Sequence, residues 1–290
     1  MKLVLLLIDT MKPYASLWFS VSVLIYCLIA TIIFLICTVI QIILIMKKYF
    51  ILSLSCLLVL FFTLPANSQK PNKLTGKEKK AGWILLFNGK DFTGWRQCNG
   101  TEMPKNWIIE DNAMKVFTGE GKNPGQGSNG DILYFPRKFR NFELSVDWKV
   151  SDMGNSGIFY YVREVPDKPI YYAAPEVQVL DNKNATDNKI ASHLAGSLYD
   201  MLAADPATVK PAGEWNNIII RVKDGKAEHI QNGVKVVEYE LWTPKWDEMV
   251  AGSKFKTFPG FTEGIAREGY IGLQDHGYPI WFRNIKIREL

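Results

Sequence analysis

The feature that most limits how this chain can fold is its punctuation. From residue 82 onward at least ten short apolar or alternating runs follow one another, most of them closed by Asn, Asp or Gly. The dipeptides Asp224-Gly225 and Asn232-Gly233 separate the runs 215–222, 226–230 and 234–240, and both tolerate the positive φ that tight hairpin turns need. Only residues 184–202 and 244–252 carry a helical period. So many short strands joined by turns predict an all-β fold, an antiparallel β-sandwich, over residues 81–290. In the run 142–150, Phe142, Leu144, Val146 and Trp148 alternate with Glu143, Ser145, Asp147 and Lys149, which describes a strand with one apolar and one wet face. Trp148 and Trp281 are expected to fill the core. Trp95, in the loop that begins at Asp91, reads equally as a structural plug or as a platform for a sugar ring.

The first 69 residues stand outside that pattern. Residues 17–46 are almost continuously apolar, which exceeds the roughly 20 residues needed to cross a bilayer. Lys47-Lys48 then opens a second unit, a charged start followed by an apolar stretch over 49–64 and a small-residue cleavage site after Ser68. Two spans joined by two lysines make a poor membrane hairpin. Residues 46–68 are therefore read as a signal peptide starting at Met46, with residues 1–45 an upstream extension; a transmembrane segment is the alternative. Residues 69–80, polar and rich in lysine, are expected to be a linker. The domain that follows is expected to be exported, to the periplasm or cell exterior, and to meet a membrane only through an uncleaved leader.

Cys27, Cys37 and Cys56 fall in the apolar runs, which leaves Cys98 alone in the exported part. No disulfide can staple it, so stability must come from an ordinary core, and about 220 residues suffice to bury one. The leader holds four of the 34 basic and one of the 29 acidic side chains, so the remainder carries a net charge of only +2. Near neutrality gives no electrostatic reason to expect nucleic acid as a partner.

Chemistry concentrates around residues 175–181, Pro-Glu-Val-Gln-Val-Leu-Asp. In a pleated strand Val177 and Val179 point into a core while Glu176 and Gln178 point together onto the other face. That face is either a ligand site or simply the solvated side of a strand. Asp181 and the run from His193 to Asp200 add ionisable groups nearby in sequence. Of the three histidines, His229 sits in a hairpin strand and reads as structural, whereas His276, after Asp275 and before Gly277, has the loop setting in which sites are common. No zinc spacing is present, although a divalent metal held by Glu176, His193 and His276 stays open on spacing alone. Two-carboxylate glycoside hydrolysis fits poorly. Residues 176–181 match the Glu-x-Asp-x-x-Glu strand of concanavalin-like glucanases only in outline, because Gln178 cannot carry charge and Asp181 lies about 16 Å along the strand on the opposite parity.

A more specific resemblance lies in the order of the motifs. Asn155-Ser-Gly-Ile-Phe-Tyr160, Pro175-Glu-Val-Gln-Val-Leu-Asp181, His193-Leu-Ala-Gly-Ser-Leu-Tyr-Asp200, Gly213-Glu-Trp-Asn216, Gly272-Leu-Gln-Asp-His-Gly277 and Trp281-Phe-Arg-Asn-Ile-Lys286 occur in the order of the 3-keto-disaccharide hydrolases, also called 3-keto-glucoside lyase/hydratases. The chain resembles that family over residues 82–290. The resemblance implies a concanavalin A-like jelly-roll and a carbohydrate substrate oxidised at carbon 3, cleaved by proton abstraction, elimination and hydration. It also suggests roles: Glu176 or His193 as base, His276 or a bound metal at the enolate, and Gln178, Arg163 and Tyr199 on the sugar. Asp181, Asp275 and Trp95 are further substrate-binding candidates. A non-catalytic carbohydrate-binding module of the same architecture is the alternative.

Overall fold

The computed structural model describes residues 26, 28–50, 70–117 and 130–290. It divides into two units, Met1–Ser68 and Gln69–Leu290. In the first, a helix α1 (Leu28–Phe50) has a mean hydropathy of 3.0 and exposes its side chains throughout, as a signal sequence or membrane anchor would. It passes unbroken through Lys47-Lys48, where the sequence divides the two apolar runs. The expected cleavage site after Ser68 lies outside the described residues.

The second unit carries its own core. After the short helix α2 (Gly76–Lys80) its strands are β1 (Ile84–Leu85), β2 (Trp95–Gln97), β3 (Trp107–Glu110), β4 (Ala113–Val116), β5 (Ile132–Phe139), β6 (Phe142–Val150), β7 (Asn155–Val162), β8 (Glu176–Leu180), β9 (Asn216–Lys223), β10 (Lys226–Gln231), β11 (Val234–Glu240), β12 (Gly269–Leu273) and β13 (Ile280–Glu289). They form two antiparallel sheets. One runs β11-β10-β9-β6-β13-β4-β3, with β1 also on β13, and the other runs β2-β5-β12-β7-β8. The sandwich expected from the sequence is therefore present. Its hairpins turn where the dipeptides said they would: φ is 48° and 88° at Asp224-Gly225, and 49° and 86° at Asn232-Gly233. Ile218, Ile220 and Val222 of β9 and Leu144, Val146 and Trp148 of β6 join Ile158, Val177 and Val179 of the opposite sheet in one buried cluster. Helix α3 (Pro244–Gly252), capped by Thr243, packs Trp246 and Val250 into it.

Several expectations are corrected or decided by the fold. The outer face of β6 is not wet along its length, because β9 and β13 flank the strand: Glu143 accepts from Arg221 Nε (3.0 Å) and Arg288 Nη2 (2.9 Å), and it and Ser145 are buried. Trp281 leaves the core, since Ile280 and Phe282 take the inward parity; its ring lies outward under Lys149 and Lys115, and its Nε1 donates to Glu110. Trp95 is a plug, 3% exposed, with Nε1 donating to the Leu86 carbonyl at 2.7 Å, and so cannot be a sugar platform. Residues 70–80 are not a free linker. Asn72 and Asn284 exchange amide hydrogen bonds (2.6 and 2.8 Å) at the bulge in β13, and Glu78 pairs with Lys286, so the polarity that mimics a linker ties this segment down.

Residues 184–202 form no α-helix; within them a 3-10 turn spans Ala191–His193. The segment lies along the open edge of β8 instead. Gln178 N–H donates to Ser197 O (3.1 Å), Gly196 N–H to Gln178 O (2.8 Å) and Tyr199 N–H to Glu176 O (3.0 Å). These bonds satisfy an edge that would otherwise be left unpaired.

Candidate active site

The alternation of β8 puts Val177 and Val179 in the core and turns Glu176 and Gln178 to the outer face, as the sequence predicts. That face is closed over by loops, so Glu176 is 4% and Gln178 1% exposed. Antiparallel register brings Asn155 from β7, Asp131 from the start of β5 and Gln274 from the end of β12 to the same patch. Together with Tyr171, Tyr199, Lys254 and His276 they enclose a cavity of about 230 Å³. Nearly everything facing it can donate or accept a hydrogen bond.

Glu176 is the electrostatic centre. Burial pushes its carboxyl up to about 8; the Lys254 ammonium pulls the other way, and Asp131 and Asp187 add to the rise. Among the described residues no hydrogen bond contributes to that shift. Room for the side chain comes from Gly157, where a Cβ would stand 2.2 Å from Glu176 Oε1. Beside it, Gln178 Nε2 donates to Asn155 Oδ1 at 3.2 Å, while Gln178 Oε1 is buried and has no partner among the described residues. A buried orphan acceptor on a cavity wall is what a ligand hydroxyl would satisfy.

Asp275 is braced rather than free. Its Oδ2 accepts from Asn106 Nδ2 (2.5 Å) and the Gly130 N–H (3.2 Å), and its Oδ1 from the Gly277 N–H (2.8 Å). Its own N–H donates to Asp131 Oδ1 at 2.9 Å. Desolvation, reinforced by the Asp275 charge, raises Asp131 to about 7. A carboxyl group there holds a proton over part of the neutral range, which makes it a usable acid.

His193 does not face the cavity. Its Nδ1 meets Asp187 Oδ1 at 2.7 Å, its Nε2 meets Asp200 Oδ1 at 2.8 Å, and its ring stacks on Tyr199 with centroids 4.3 Å apart. With both nitrogens turned to carboxylates and away from the cavity, it is not placed to take a proton from a substrate there. It orients others: Asp187 Oδ2 accepts from the Tyr199 hydroxyl (2.9 Å), and Asp200 Oδ2 accepts from the Lys254 N–H (2.6 Å). Lys254 then extends its ammonium over the Tyr199 ring, 4.1 Å from the centroid, with Tyr171 at 5.3 Å. His276 is exposed at the rim, stacked on Tyr278.

The remaining candidates lie elsewhere. Arg163 is an exposed charge at the end of β7, off the cavity wall. Asp181 follows β8 with the parity of the valines and lines a separate groove; its carboxylate accepts the N–H groups of Met153 and Lys183, both at 3.0 Å. The metal set Glu176, His193 and His276 does not converge, and among the described residues no three His, Cys, Asp or Glu side chains are arranged to hold an ion. Sequence reasoning missed Asp131, Asp187, Lys254, Asn155 and Gln274. Asp131 and Gln274 had one signal, a polar residue directly flanking an apolar strand, while Lys254 had none.

Comparison with known proteins agrees with this architecture. A family model described as the 3-keto-alpha-glucoside-1,2-lyase-like domain matches residues 82–288. A protein of Bacteroides thetaiotaomicron named 3-keto-disaccharide hydrolase is 44% identical over 229 residues, which span 72% of this chain and 79% of that protein. A crystal structure from Parabacteroides distasonis, provisionally described as a glycosyl hydrolase, is 34% identical with a TM-score of 0.68, over 76% of this chain and 100% of that one. A second from the same organism is 28% identical with a TM-score of 0.57, over 72% and 99%.

Proposed function

This chain belongs to the 3-keto-alpha-glucoside-1,2-lyase-like family, and on that premise we propose that it is an exported enzyme cleaving glycosides oxidised at carbon 3, 3-keto-disaccharides among them. The observation that carries the reading is Glu176: a buried carboxyl raised to about 8 on the floor of a polar cavity of sugar-ring scale. Glycosidases of the ordinary kind need two carboxyl groups flanking the bond. A 3-keto sugar needs less.

The ketone acidifies the hydrogen on carbon 2. Ionised Glu176 takes that proton, and the electron pair moves into the enolate, whose oxygen is stabilised by the Lys254 ammonium. The enolate re-forms the ketone and expels the oxygen at carbon 1, which collects the proton held by Asp131. Water then adds across the enone, hydroxyl to carbon 1 and hydrogen to carbon 2, for net hydrolysis. Gln178 and Asn155 hold sugar hydroxyls, and His276 guards the rim. The high pKa of Glu176 suits a base that must take a carbon-bound proton near neutral pH. Helix α1 supports export.

The test is incubation of residues 69–290, a compact unit with its own core, with methyl 3-keto-glucoside and 3-keto-trehalose. Release of 3-keto-glucose by the wild type, abolished in a folded Glu176→Gln variant, is the expected result. Sugar binding without turnover would leave only a carbohydrate-binding module.

A further inference from the structure

The cavity over Glu176 has a neighbour. A second hollow, about 450 Å³, is walled by Cys98, Asn99, Asp167, Lys168 and Ile170, and the two share Asp131, Pro169 and Tyr171. Asp131 and the 3-10 turn Ile170–Tyr172 therefore stand at a threshold between two spaces rather than at the back of one. Resting on the functional reading above, we propose that the second hollow is the subsite for the leaving sugar, so that a 3-keto-disaccharide lies across Asp131 with its oxidised ring over Glu176.

Size is the first argument. Pockets for drug-sized ligands start near about 300 Å³, so the 230 Å³ cavity holds one ring, and a two-ring substrate must extend beyond it. The second hollow is the space that adjoins Asp131, the acid that the glycosidic oxygen must reach. Composition is the second. Asn99, Asp167 and Lys168 offer polar groups around an apolar floor of Ile170 and Cys98, with Tyr171 at the threshold.

Rigidity is the third. Arg96 holds Glu164 through two bonds of 2.7 Å, and Glu164 Oε1 also accepts the Asn99 N–H at 2.6 Å. Asn99 Nδ2 in turn donates to the carbonyls of Val165 and Lys168, both at 2.9 Å. These contacts fasten the loop of residues 163–169 to the turn after β2. No step of the chemistry over Glu176 uses them. They make sense as the frame of a pre-formed binding surface, whose rigidity lowers the entropy lost when a sugar docks.

Lys168 is exposed, lines the second hollow and not the first, and tolerates bulk without disturbing the core. In residues 69–290, Lys168→Trp fills the hollow. We expect kcat/KM for 3-keto-trehalose to fall about tenfold or more, mostly through KM, with methyl 3-keto-glucoside changed by less than about twofold. Equal losses on both substrates, or no loss on the disaccharide, would overturn the assignment. Cys98→Phe blocks the same space from its floor and should reproduce the selective effect, with normal methyl glycoside turnover reporting an intact fold. Should the wild type turn over neither compound, the functional reading fails separately. Calorimetric affinity then decides the subsite: Lys168→Trp must weaken 3-keto-trehalose selectively, and an equal change for both sugars rejects it.

Discussion

Replacing Glu176 by Gln should make the protein more stable while it removes activity. Burial raises the Glu176 carboxyl from 4.5 to about 8, so between those pH values the folded protein holds a proton that the unfolded chain has released. The contribution of this group is full below pH 4.5 and is lost as pH rises through about 8. At 1.36 kcal/mol per pH unit, the wild type forfeits about 1 kcal/mol by pH 5, about 3 by pH 7 and about 5 by pH 9. Gln has the same shape and no charge to desolvate. The stability gained by Glu176→Gln should therefore grow along that series. Urea unfolding of residues 69–290 at pH 5, 7 and 9 measures it, and other titrating groups largely cancel because wild type and variant are compared at each pH. A difference that stays flat with pH, or a variant less stable at pH 9, would mean that the carboxylate is not desolvated and would remove the physical basis for Glu176 as a base.

Three further outcomes are expected. If ionised Glu176 and protonated Asp131 act together, kcat/KM follows a bell with apparent values near 7 and 8, and Asp131→Asn leaves only the rising limb; a bell that persists in the variant refutes the pairing. Gly157→Ala puts a methyl group 2.2 Å from Glu176 Oε1 and should cut turnover by about a hundredfold through misplacement of the carboxyl, whereas a wild-type rate would show that Glu176 does no chemistry from this position. His229 is buried with its value lowered to about 4, so its contribution is full above 6.5 and is lost as pH falls toward 4, about 3 kcal/mol in all; the stability difference between wild type and His229→Leu should shrink by that amount over this range in chemical denaturation.

Strand order in sequence was legible because turn residues and period-two alternation are local signals, and Glu143 to Lys149 shows where they stop. The alternation of β6 was right, but whether its polar side meets water depends on β9 and β13, which no local pattern reveals. The site divides the same way. Glu176 and Gln178 share a face by strand geometry alone. His193 is one of two candidate bases by residue type, and only the folded chain shows Asp187 and Asp200 on both sides of it. Lys254 reaches the cavity from a turn after α3, a position that carries no signature. Asp131 became a candidate acid through burial and proximity to Asp275, both of them long-range effects.

The edge of β8 joins stability to chemistry. A five-residue edge strand buried on both faces would leave a row of unpaired backbone groups, so something had to cover it. Another strand would have covered it with a flat ladder and left Glu176 beneath a plain sheet edge. The irregular segment 194–199 makes three backbone bonds to β8 and carries Tyr199 to the cavity wall, with His193, Asp187 and Asp200 behind it. His229, from the opposite sheet, fixes that segment by donating from Nδ1 to the Gly196 carbonyl at 2.9 Å. The histidine the sequence marks as structural therefore acts on the site at a distance. Loss of its hydrogen bond should loosen the covering segment before it unfolds the sandwich, so amide exchange in His229→Leu should rise first at Gly196 and Tyr199, whose N–H groups bond to β8, and later in β6 and β9. Simultaneous loss of protection in both places would mean that the cover and the core open as one unit, and that the site gains no separate support from His229.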